Sequence, residues 1–298
     1  MPKKVPVETL ARLALGTAQF GLQYGLANSS GRVMPADIET ILLNARRAGM
    51  DTLDTAVAYG ESESALGSAG VTSWRVITKL PPLPGDVDDI AGWVAAHVRD
   101  SLRRLGVAQL EALLLHKPSD LLGSGGRRYA EALGELKARG YVRALGLSIY
   151  DPAELDAVWP AWQPEIVQAP CNVLDRRLIR SGWLAKLRSS GVRTHVRSAF
   201  LQGLLLMPAA RRPACFTRWA GLLDRWLDWC LTQEISPLGA ALAFVQAQPD
   251  VERIVVGVES PAQLEQIVAV AARSAPMPPD DLWSEDRNLL EPSRWDLT

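Results

Sequence analysis

The sequence predicts an α/β fold, a (β/α)8 TIM barrel with eight parallel strands and an outer layer of helices. Three observations support this fold. Eight short apolar runs alternate with longer amphipathic segments, several runs end in a polar residue, and 298 residues suffice for one barrel of this kind. An open doubly wound sheet is the competing architecture, but it normally carries a G-x-G-x-x-G turn after its first strand, where this chain has GTAQFG.

The predicted strands occupy residues 13–16, 52–54, 75–79, 112–116, 144–148, 165–168, 192–196 and 253–256. Between them, segments 36–48, 87–105, 129–139, 237–248 and 261–272 carry apolar residues at helical spacing. Asp151, ahead of Pro152, is a candidate N-cap for a further helix that reaches Val158. No low-complexity linker divides the chain, so we expect a single domain over residues 1–298, with residues 280–298 as a C-terminal tail.

Composition narrows the classes of partner. The net charge is −1 with acidic and basic residues interspersed, which favours neither nucleic acid nor a membrane surface. The three cysteines, Cys171, Cys215 and Cys230, are far apart and belong to no metal-ligand motif, so we expect no disulfide framework and no metal. A signal peptide and a membrane-spanning run are not recognisable, and we expect a cytoplasmic protein whose oligomeric state the sequence does not indicate.

Four polar residues follow three consecutive apolar runs: Asp54, Tyr59, Lys79 and His116. Each taken alone has an ordinary structural explanation, as a turn residue, a half-buried aromatic, a solvated lysine or a hydrogen-bonded histidine. At the carboxyl ends of parallel strands, however, the four side chains converge. A carboxylate, a phenol, an ammonium and an imidazole together can deliver a proton to a carbonyl oxygen without a metal.

Each member has a physical part in such a site. Lys79 ends an apolar run, where a buried ammonium needs a partner, and Asp54 is placed to provide it. We expect the ammonium to lower the pKa of Tyr59 and so to make the phenol a general acid. A neutral His116 would hydrogen-bond the substrate carbonyl and fix its orientation.

These residues and their surroundings resemble the aldo-keto reductase family. The matching segments are LDTA-x-x-YG-x-SE at 53–63, ITK ending in Lys79, and LLLHKP around His116, with LGLS, IVQAPCN, FLQGLL and VGVESPAQLEQ extending the likeness over nearly the whole chain. The resemblance implies a barrel that binds NADPH or NADH without a Rossmann motif. It also implies reduction of an aldehyde or ketone to an alcohol, with Tyr59 as the proton donor.

The resemblance further implies a set of cofactor contacts. Ser148 and Gln168 match the pair that holds the nicotinamide carboxamide, and Gly16 and Thr17 match the loop beside the ring. The pyrophosphate segment corresponds to Ser198, Phe200, Gln202 and Gly203, and the adenosine loop corresponds to Gly257, Glu259, Ser260 and Gln263.

The chain departs from the family pattern at four positions. Ile149 replaces an asparagine beside the carboxamide serine, and Arg197 replaces the aromatic residue that stacks on the nicotinamide, a part that a planar guanidinium can also take. Glu259 stands where NADPH-preferring relatives place a cation for the 2′-phosphate, and Ile267 replaces an adenine-side asparagine. Since a carboxylate repels a phosphate, we expect use of both cofactors or a preference for NADH.

The substrate is a small carbonyl compound on this interpretation. Candidate contacts are Tyr24, Asn172 and Trp295, together with Pro82, Leu83, Arg176 and Trp283. GTAQFGLQYGLAN and the tail PSRW resemble a family branch found among bacterial polysaccharide and sugar-nucleotide genes, which suggests a sugar-like carbonyl. The alternatives are a cofactor-binding regulatory module that lacks turnover, and an enzyme that runs in the oxidative direction.

Overall fold

A computed structural model describes residues 10–297, and its centre is a closed barrel of eight parallel strands in the order β1 to β8. The strands are β1 (Leu13–Gly16), β2 (Thr52–Asp54), β3 (Arg75–Leu80), β4 (Leu110–Leu115), β5 (Val142–Ser148), β6 (Ile166–Pro170), β7 (Arg193–Arg197) and β8 (Arg253–Gly257). Pairing of β1 with β8 closes the barrel. The predicted (β/α)8 barrel is therefore confirmed, and each predicted run overlaps a strand.

Helices follow the strands and cover the outside of the barrel. The α-helices are Ala18–Gly21, Pro35–Arg47, Ser62–Ala69, Ile90–Leu105, Gly126–Ala138, Ala153–Val158, Arg177–Arg180, Trp183–Ser189, Ala220–Thr232, Pro237–Gln246, Pro261–Ala271 and Arg287–Leu290. Short 3-10 helices lie at Pro118–Leu121, Leu201–Leu206, Ala209–Arg211, Ala214–Trp219 and Pro292–Arg294.

Helix ends are set by local capping. The predicted helix 87–105 begins at Ile90, because the Asp89 carboxylate accepts a hydrogen bond from the Gly92 N–H at 2.9 Å. It ends at Gly106, whose φ of 66° is the left-handed conformation that stops a helix. The helix that runs to Val158 begins at Ala153 with Pro152 at its N-cap position, one residue after the predicted Asp151, whose carboxylate accepts from the Ala153 N–H at 3.0 Å.

The barrel interior changes from apolar to polar along each strand. A buried cluster in the interior comprises Ile77, Ala112, Leu114, Ala144 and Ile166. Two residues farther along the same strands, or just beyond them, come Lys79, His116 and Gln168. Because side chains in a strand alternate in direction with a period of two, these polar residues point into the barrel at its carboxyl end. The apolar layer is thus the floor beneath a polar site.

Two further features bear on the sequence-based expectations. Within residues 10–297, no helix combines the length and the apolar character that crossing a membrane requires. The three cysteines are free thiols, with Cys171 and Cys230 buried and Cys215 partly exposed.

Candidate active site

Lys79 and Asp54 form a buried ion pair at the carboxyl end of the barrel. The Lys79 Nζ atom lies 2.7 Å from Oδ2 of Asp54, and it also donates to the backbone oxygen of Thr55 at 2.8 Å. Gln168 donates from Nε2 to the other carboxylate oxygen of Asp54 at 2.6 Å. The carboxylate therefore receives a hydrogen bond on each of its buried oxygens, so neither is left without a donor.

Tyr59 and His116 lie close to each other and to this pair. The centroids of their rings are 6.1 Å apart, and Lys79 Nζ lies 5.0 Å from the centroid of the Tyr59 ring. His116 comes directly after β4, and its backbone N–H donates to the Leu80 oxygen at 3.2 Å. The structure therefore brings together all four side chains that the sequence singled out.

The loop that carries Tyr59 is held by buried hydroxyl groups. Ser62 donates to the backbone oxygen of Thr17 at 2.8 Å and lies 3.0 Å from the Thr55 hydroxyl. The loop also packs against the backbone of Gly21. A Cβ atom at this position would lie 1.8 Å from the backbone oxygen of Tyr59. The β1 and β2 loops are consequently in backbone contact, and this contact fixes where the phenol stands.

Burial and charge set the protonation states of the site. Burial, together with the charges of Lys79 and Arg197, lowers the pKa of His116 to about 3, so its imidazole is neutral at physiological pH. Burial also lowers the pKa of the Lys79 ammonium, and the Asp54 carboxylate opposes that change. The neutral histidine agrees with the sequence-based expectation.

The pKa of Tyr59 is shifted in the opposite direction from the one that the sequence predicted. Burial raises the pKa of the phenol above its ordinary value, and the Asp54 carboxylate raises it further, while Arg197 partly opposes the rise. The physical reason is that burial disfavours the charged phenolate, and the Asp54 carboxylate repels it as well. Tyr59 therefore holds its proton firmly.

A cleft of about 270 Å³ leads from Tyr59 across the carboxyl ends of β1, β8 and β7. Asp54 and Tyr24 line it as well, as do most of the predicted cofactor residues: Gly16, Thr17, Arg197, Ser198, Phe200, Gln202, Gly203, Gly257, Glu259 and Gln263. Its lining by three strand-end loops, with polar and apolar groups mixed, suits a small-molecule ligand. Among residues 10–297, no group of three or more histidine, cysteine or acidic side chains is arranged to hold a metal ion.

Comparison with known proteins identifies the family. The family model described as "Aldo/keto reductase family" matches residues 12–282. The chain belongs to the aldo-keto reductase family. It is consequently an NAD(P)-dependent oxidoreductase, as the resemblance of its motifs implied.

Individual relatives of this aldo-keto reductase are distant in sequence. An NADH-specific methylglyoxal reductase of Escherichia coli (strain K12) is 27% identical over 313 residues, covering 90% of this chain and 93% of that protein. A 6-dehydroglucose reductase of Novosphingobium aromaticivorans is 33% identical over 141 residues, which cover 42% of this chain and 45% of the relative. The solved holo form of an aldo-keto reductase from Bacillus halodurans has a TM-score of 0.71 at 20% identity, covering 89% of this chain and 88% of that structure.

The residues predicted to hold the nicotinamide carboxamide, Ser148 and Gln168, are buried next to Asp54, which lines the cleft. Gln168 uses its amide nitrogen on Asp54, and its fully buried Oε1 atom has no hydrogen-bond partner in the structure. Ser148, at the end of the neighbouring strand β5, is also buried, and its backbone is paired with that of Gln168 in the parallel register. An unsatisfied buried acceptor requires a donor, and the amide group of a nicotinamide would supply one.

The loop after β7 has an unusual backbone. Ser198, Leu201 and Gln202 adopt φ values of 62°, 46° and 52°, and Gly203 has a φ of 89°. Non-glycine residues in this left-handed region are strained, and such strain is concentrated at ligand-binding loops. A Cβ atom at Gly203 would lie 2.6 Å from the Ala27 side chain, so this glycine lets the β1 and β7 loops meet. Within the loop the N–H groups of Leu201 and Gly203 donate to the Ser198 and Phe200 oxygens, both at 2.9 Å, and Ser198, Phe200, Gln202 and Gly203 line the cleft.

The residues predicted for the adenosine end lie at the start of the helix Pro261–Ala271. Ser260 caps this helix by accepting from the Gln263 N–H at 3.3 Å, and the Gln263 side chain in turn accepts from the Glu259 N–H at 2.8 Å. Glu259 and Ile267 line the cleft there. Arg273 lies beyond the far end of the helix, about 16 Å away at ~1.5 Å per residue. The carboxylate of Glu259 is therefore the charged group that faces this end of the cleft.

Two of the predicted substrate residues, Asn172 and Trp295, make structural contacts within the protein. Asn172 is fully buried, donates to the Ser198 oxygen at 3.0 Å and accepts from two backbone N–H groups in its own loop. Trp295 packs against Phe216 and donates to the Leu289 oxygen at 3.0 Å. Neither lines the cleft, whereas Tyr24 does, with its hydroxyl 3.2 Å from Nε2 of Gln202. Contact of Asn172 or Trp295 with the substrate stays a prediction.

Some residues at the site were missed by sequence reasoning. The Tyr150 ring lies against the Arg197 guanidinium, 4.3 Å from centroid to Cζ, at the mouth of the barrel. Gln19 lines the cleft and has a buried Oε1 atom without a partner. Gly21 admits the backbone of Tyr59. The GTAQFG segment carried the signal for two of them, as a glycine and an amide directly after β1.

Proposed function

We propose that this enzyme reduces a small aldehyde or ketone to an alcohol with NADH, and that Tyr59 gives the proton. The observation that carries the proposal is the buried Lys79–Asp54 pair beside a phenol and a neutral imidazole, next to a cleft that most of the predicted cofactor residues line. When bound, the reduced nicotinamide supplies a hydride to the carbonyl carbon. Residues of this chain handle the carbonyl oxygen.

The part of Tyr59 follows from its protonation. Because its pKa is raised, the phenol stays protonated until negative charge develops on the carbonyl oxygen, and it then transfers its proton to that oxygen. The resulting phenolate lies beside the Lys79 ammonium, which stabilises it until solvent returns a proton. One hydride and one proton thus convert the carbonyl into an alcohol.

His116 and Asp54 support this transfer without changing charge. The neutral imidazole can donate a hydrogen bond to the carbonyl oxygen from the side opposite Tyr59, and so hold the carbonyl carbon toward the cleft. Asp54 keeps Lys79 charged and in place. Ser148 and Gln168 would hold the carboxamide, and the loop from Ser198 to Gly203 would hold the pyrophosphate.

The preference for NADH rests on Glu259. A carboxylate at the adenosine end would repel the 2′-phosphate of NADPH and could accept a hydrogen bond from a free ribose hydroxyl. The same preference appears in the name of the Escherichia coli relative, an NADH-specific methylglyoxal reductase.

For the substrate we propose a polar carbonyl compound of the size of a monosaccharide or smaller. The Tyr24 hydroxyl and the Gln202 amide line the cleft, where they can form hydrogen bonds with the hydroxyl groups of such a substrate. Two relatives are named for substrates in the same size range, methylglyoxal and 6-dehydroglucose.

Stopped-flow measurement of NADH oxidation tests the proposal. The purified protein, loaded with NADH, is mixed with a panel that contains methylglyoxal, simple aldehydes and keto sugars, and absorbance is followed through a single turnover. We expect oxidation with at least one member. Tight NADH binding without oxidation by any of them would support the alternative, a cofactor-binding regulatory module, and would refute the proposed reaction.

A further inference from the structure

Arg197 places a guanidinium in the cleft without a carboxylate partner. It donates to the backbone oxygen of Ile149 at 3.0 Å and lies 3.3 Å from the Ser198 hydroxyl, and its planar group stacks on the Tyr150 ring. Among residues 10–297, no aspartate or glutamate lies within ion-pair distance of it. These contacts fix the direction of the side chain, and they leave its charge uncompensated.

The neighbouring charges do not cancel that of Arg197. Asp54 is paired with Lys79, and Asp175 is paired with Arg177 at 2.8 Å. Glu259 also lines the cleft, but it lies at the adenosine end, after β8. The reacting end of the cleft therefore carries a net positive charge that resides on Arg197.

This charge acts at the position where the reaction occurs. Arg197 and Tyr59 line the same end of the cleft, and the charge of Arg197 lowers the pKa values of His116 and Lys79 and opposes the rise at Tyr59. On the proposed function, on which this inference rests, a hydride must reach a carbonyl carbon whose oxygen is bonded to Tyr59. A nicotinamide ring placed for that transfer necessarily stands within the field of Arg197.

We propose that Arg197 makes the cleft distinguish the two oxidation states of the cofactor, so that NADH binds more tightly than NAD⁺. The dihydronicotinamide ring is neutral and the oxidised ring carries a positive charge, so only the oxidised ring is repelled. At the separations within one cleft, a unit charge in a partly desolvated site is sufficient for a difference of about tenfold. A tenfold ratio of dissociation constants raises the potential of a bound two-electron couple by about 30 mV.

This preference affects the binding of NADH and the release of NAD⁺ rather than the hydride step. A cleft with this preference fills with NADH even when NAD⁺ is in several-fold excess, and it releases NAD⁺ readily after reduction. In the opposite direction, NADH formed from an alcohol would be retained as an inhibitor. Bound NADH is a weaker hydride donor by the same factor, which is the necessary counterpart of its tighter binding. Arg197 thereby favours use of the enzyme as a reductase.

Binding measurements test the inference independently of turnover. Dissociation constants for NADH and NAD⁺ are determined by calorimetry for the wild type, Arg197→Lys, Arg197→Gln and the control Arg127→Gln, which removes an equal charge from the surface helix Gly126–Ala138. We expect the wild type, the control and Arg197→Lys to bind NADH about tenfold more tightly than NAD⁺. In Arg197→Gln, the ratio should fall toward one because NAD⁺ binds better.

Two results would overturn the inference. One is an equal loss of affinity for both forms in Arg197→Gln, which would make Arg197 an ordinary contact residue. The other is a wild-type ratio near one. Neither result touches the proposed reaction, whose failure would appear instead as the absence of NADH oxidation by every carbonyl compound in the panel. Circular dichroism of each variant checks that it is folded.

Discussion

Lys79 reaches Asp54 with its ammonium 2.7 Å from the carboxylate oxygen, and neither side chain is open to solvent. Two buried charges at this distance depend on each other, because removal of either one leaves the other uncompensated in a medium of low polarity. The pair lies directly beneath Tyr59. Its stability and the chemistry of the site are therefore coupled, and variants can separate the two.

The first prediction concerns this ion pair. Lys79→Met leaves the Asp54 carboxylate without its ammonium and should lower the free energy of unfolding by about 3–5 kcal/mol. Asp54→Asn should be milder, since the amide oxygen can still accept from Lys79. The double variant Asp54→Leu/Lys79→Met should regain part of the lost stability and remain inactive. Urea denaturation and turnover assays measure both properties, and a double variant less stable than Lys79→Met would contradict the argument.

The second prediction concerns the proton donor. Tyr59→Phe removes one hydroxyl group from the mouth of the cleft and leaves the ring in place. We expect turnover to fall by about 10²–10⁴-fold, with the dissociation constant of NADH changed less than threefold. Steady-state kinetics and fluorescence titration measure the two quantities. Unchanged turnover would remove Tyr59 from the role of general acid, and a parallel loss of NADH affinity would indicate damage to the cleft instead.

The third prediction concerns pH. Burial lowers the pKa of His116 from its ordinary 6.5 to about 3, so between these values the unfolded chain binds a proton that the folded chain does not. Stability from this group is therefore complete above about pH 6.5 and declines as the pH falls toward 3. His116→Gln should lose less unfolding free energy than the wild type between about pH 7 and pH 5. Urea titrations at both pH values, compared between the two proteins, provide the measurement. Equal losses would show that His116 is not held in its neutral form.

Much of this site was predictable because strand periodicity and strand ends are local properties of the sequence. Ile77 and Lys79 stand two residues apart on β3 and so face the same way, which is visible without a structure. The role of Asn172 was not predictable, because it depends on a hydrogen bond to Ser198, 26 residues away. The prediction that the pKa of Tyr59 is lowered was wrong for a similar reason. The direction of the shift is decided by the balance of burial, Asp54 and Arg197, and only the folded arrangement fixes that balance.

The fourth prediction concerns cofactor selection. Glu259→Arg should replace a repulsive charge by an attractive one at the adenosine end and raise kcat/KM with NADPH by about 10–100-fold, which corresponds to about 1.4–2.8 kcal/mol. The control is Glu265→Arg, which makes the same change of charge on the exposed face of the helix Pro261–Ala271, just after Glu259. It should leave the cofactor preference unaltered. Kinetics with both cofactors decide the matter. A wild-type enzyme that already prefers NADPH strongly would show that Glu259 does not face the 2′-position.

The last prediction concerns the contact that positions the phenol. A Cβ atom at Gly21 would lie 1.8 Å from the backbone oxygen of Tyr59 and 2.5 Å from the backbone nitrogen of Ser62. Because backbone atoms cannot rotate away as a side chain can, a substitution at Gly21 must push the β1 and β2 loops apart. We expect Gly21→Ala to lower the free energy of unfolding by about 1–3 kcal/mol and kcat by about 10²-fold, because a displacement near 1 Å is enough to misplace a reacting group. Gly85→Ala, where a Cβ meets open space, is the matched control. If Gly21→Ala retains both stability and turnover, the backbone contact between the β1 and β2 loops does not determine the position of Tyr59.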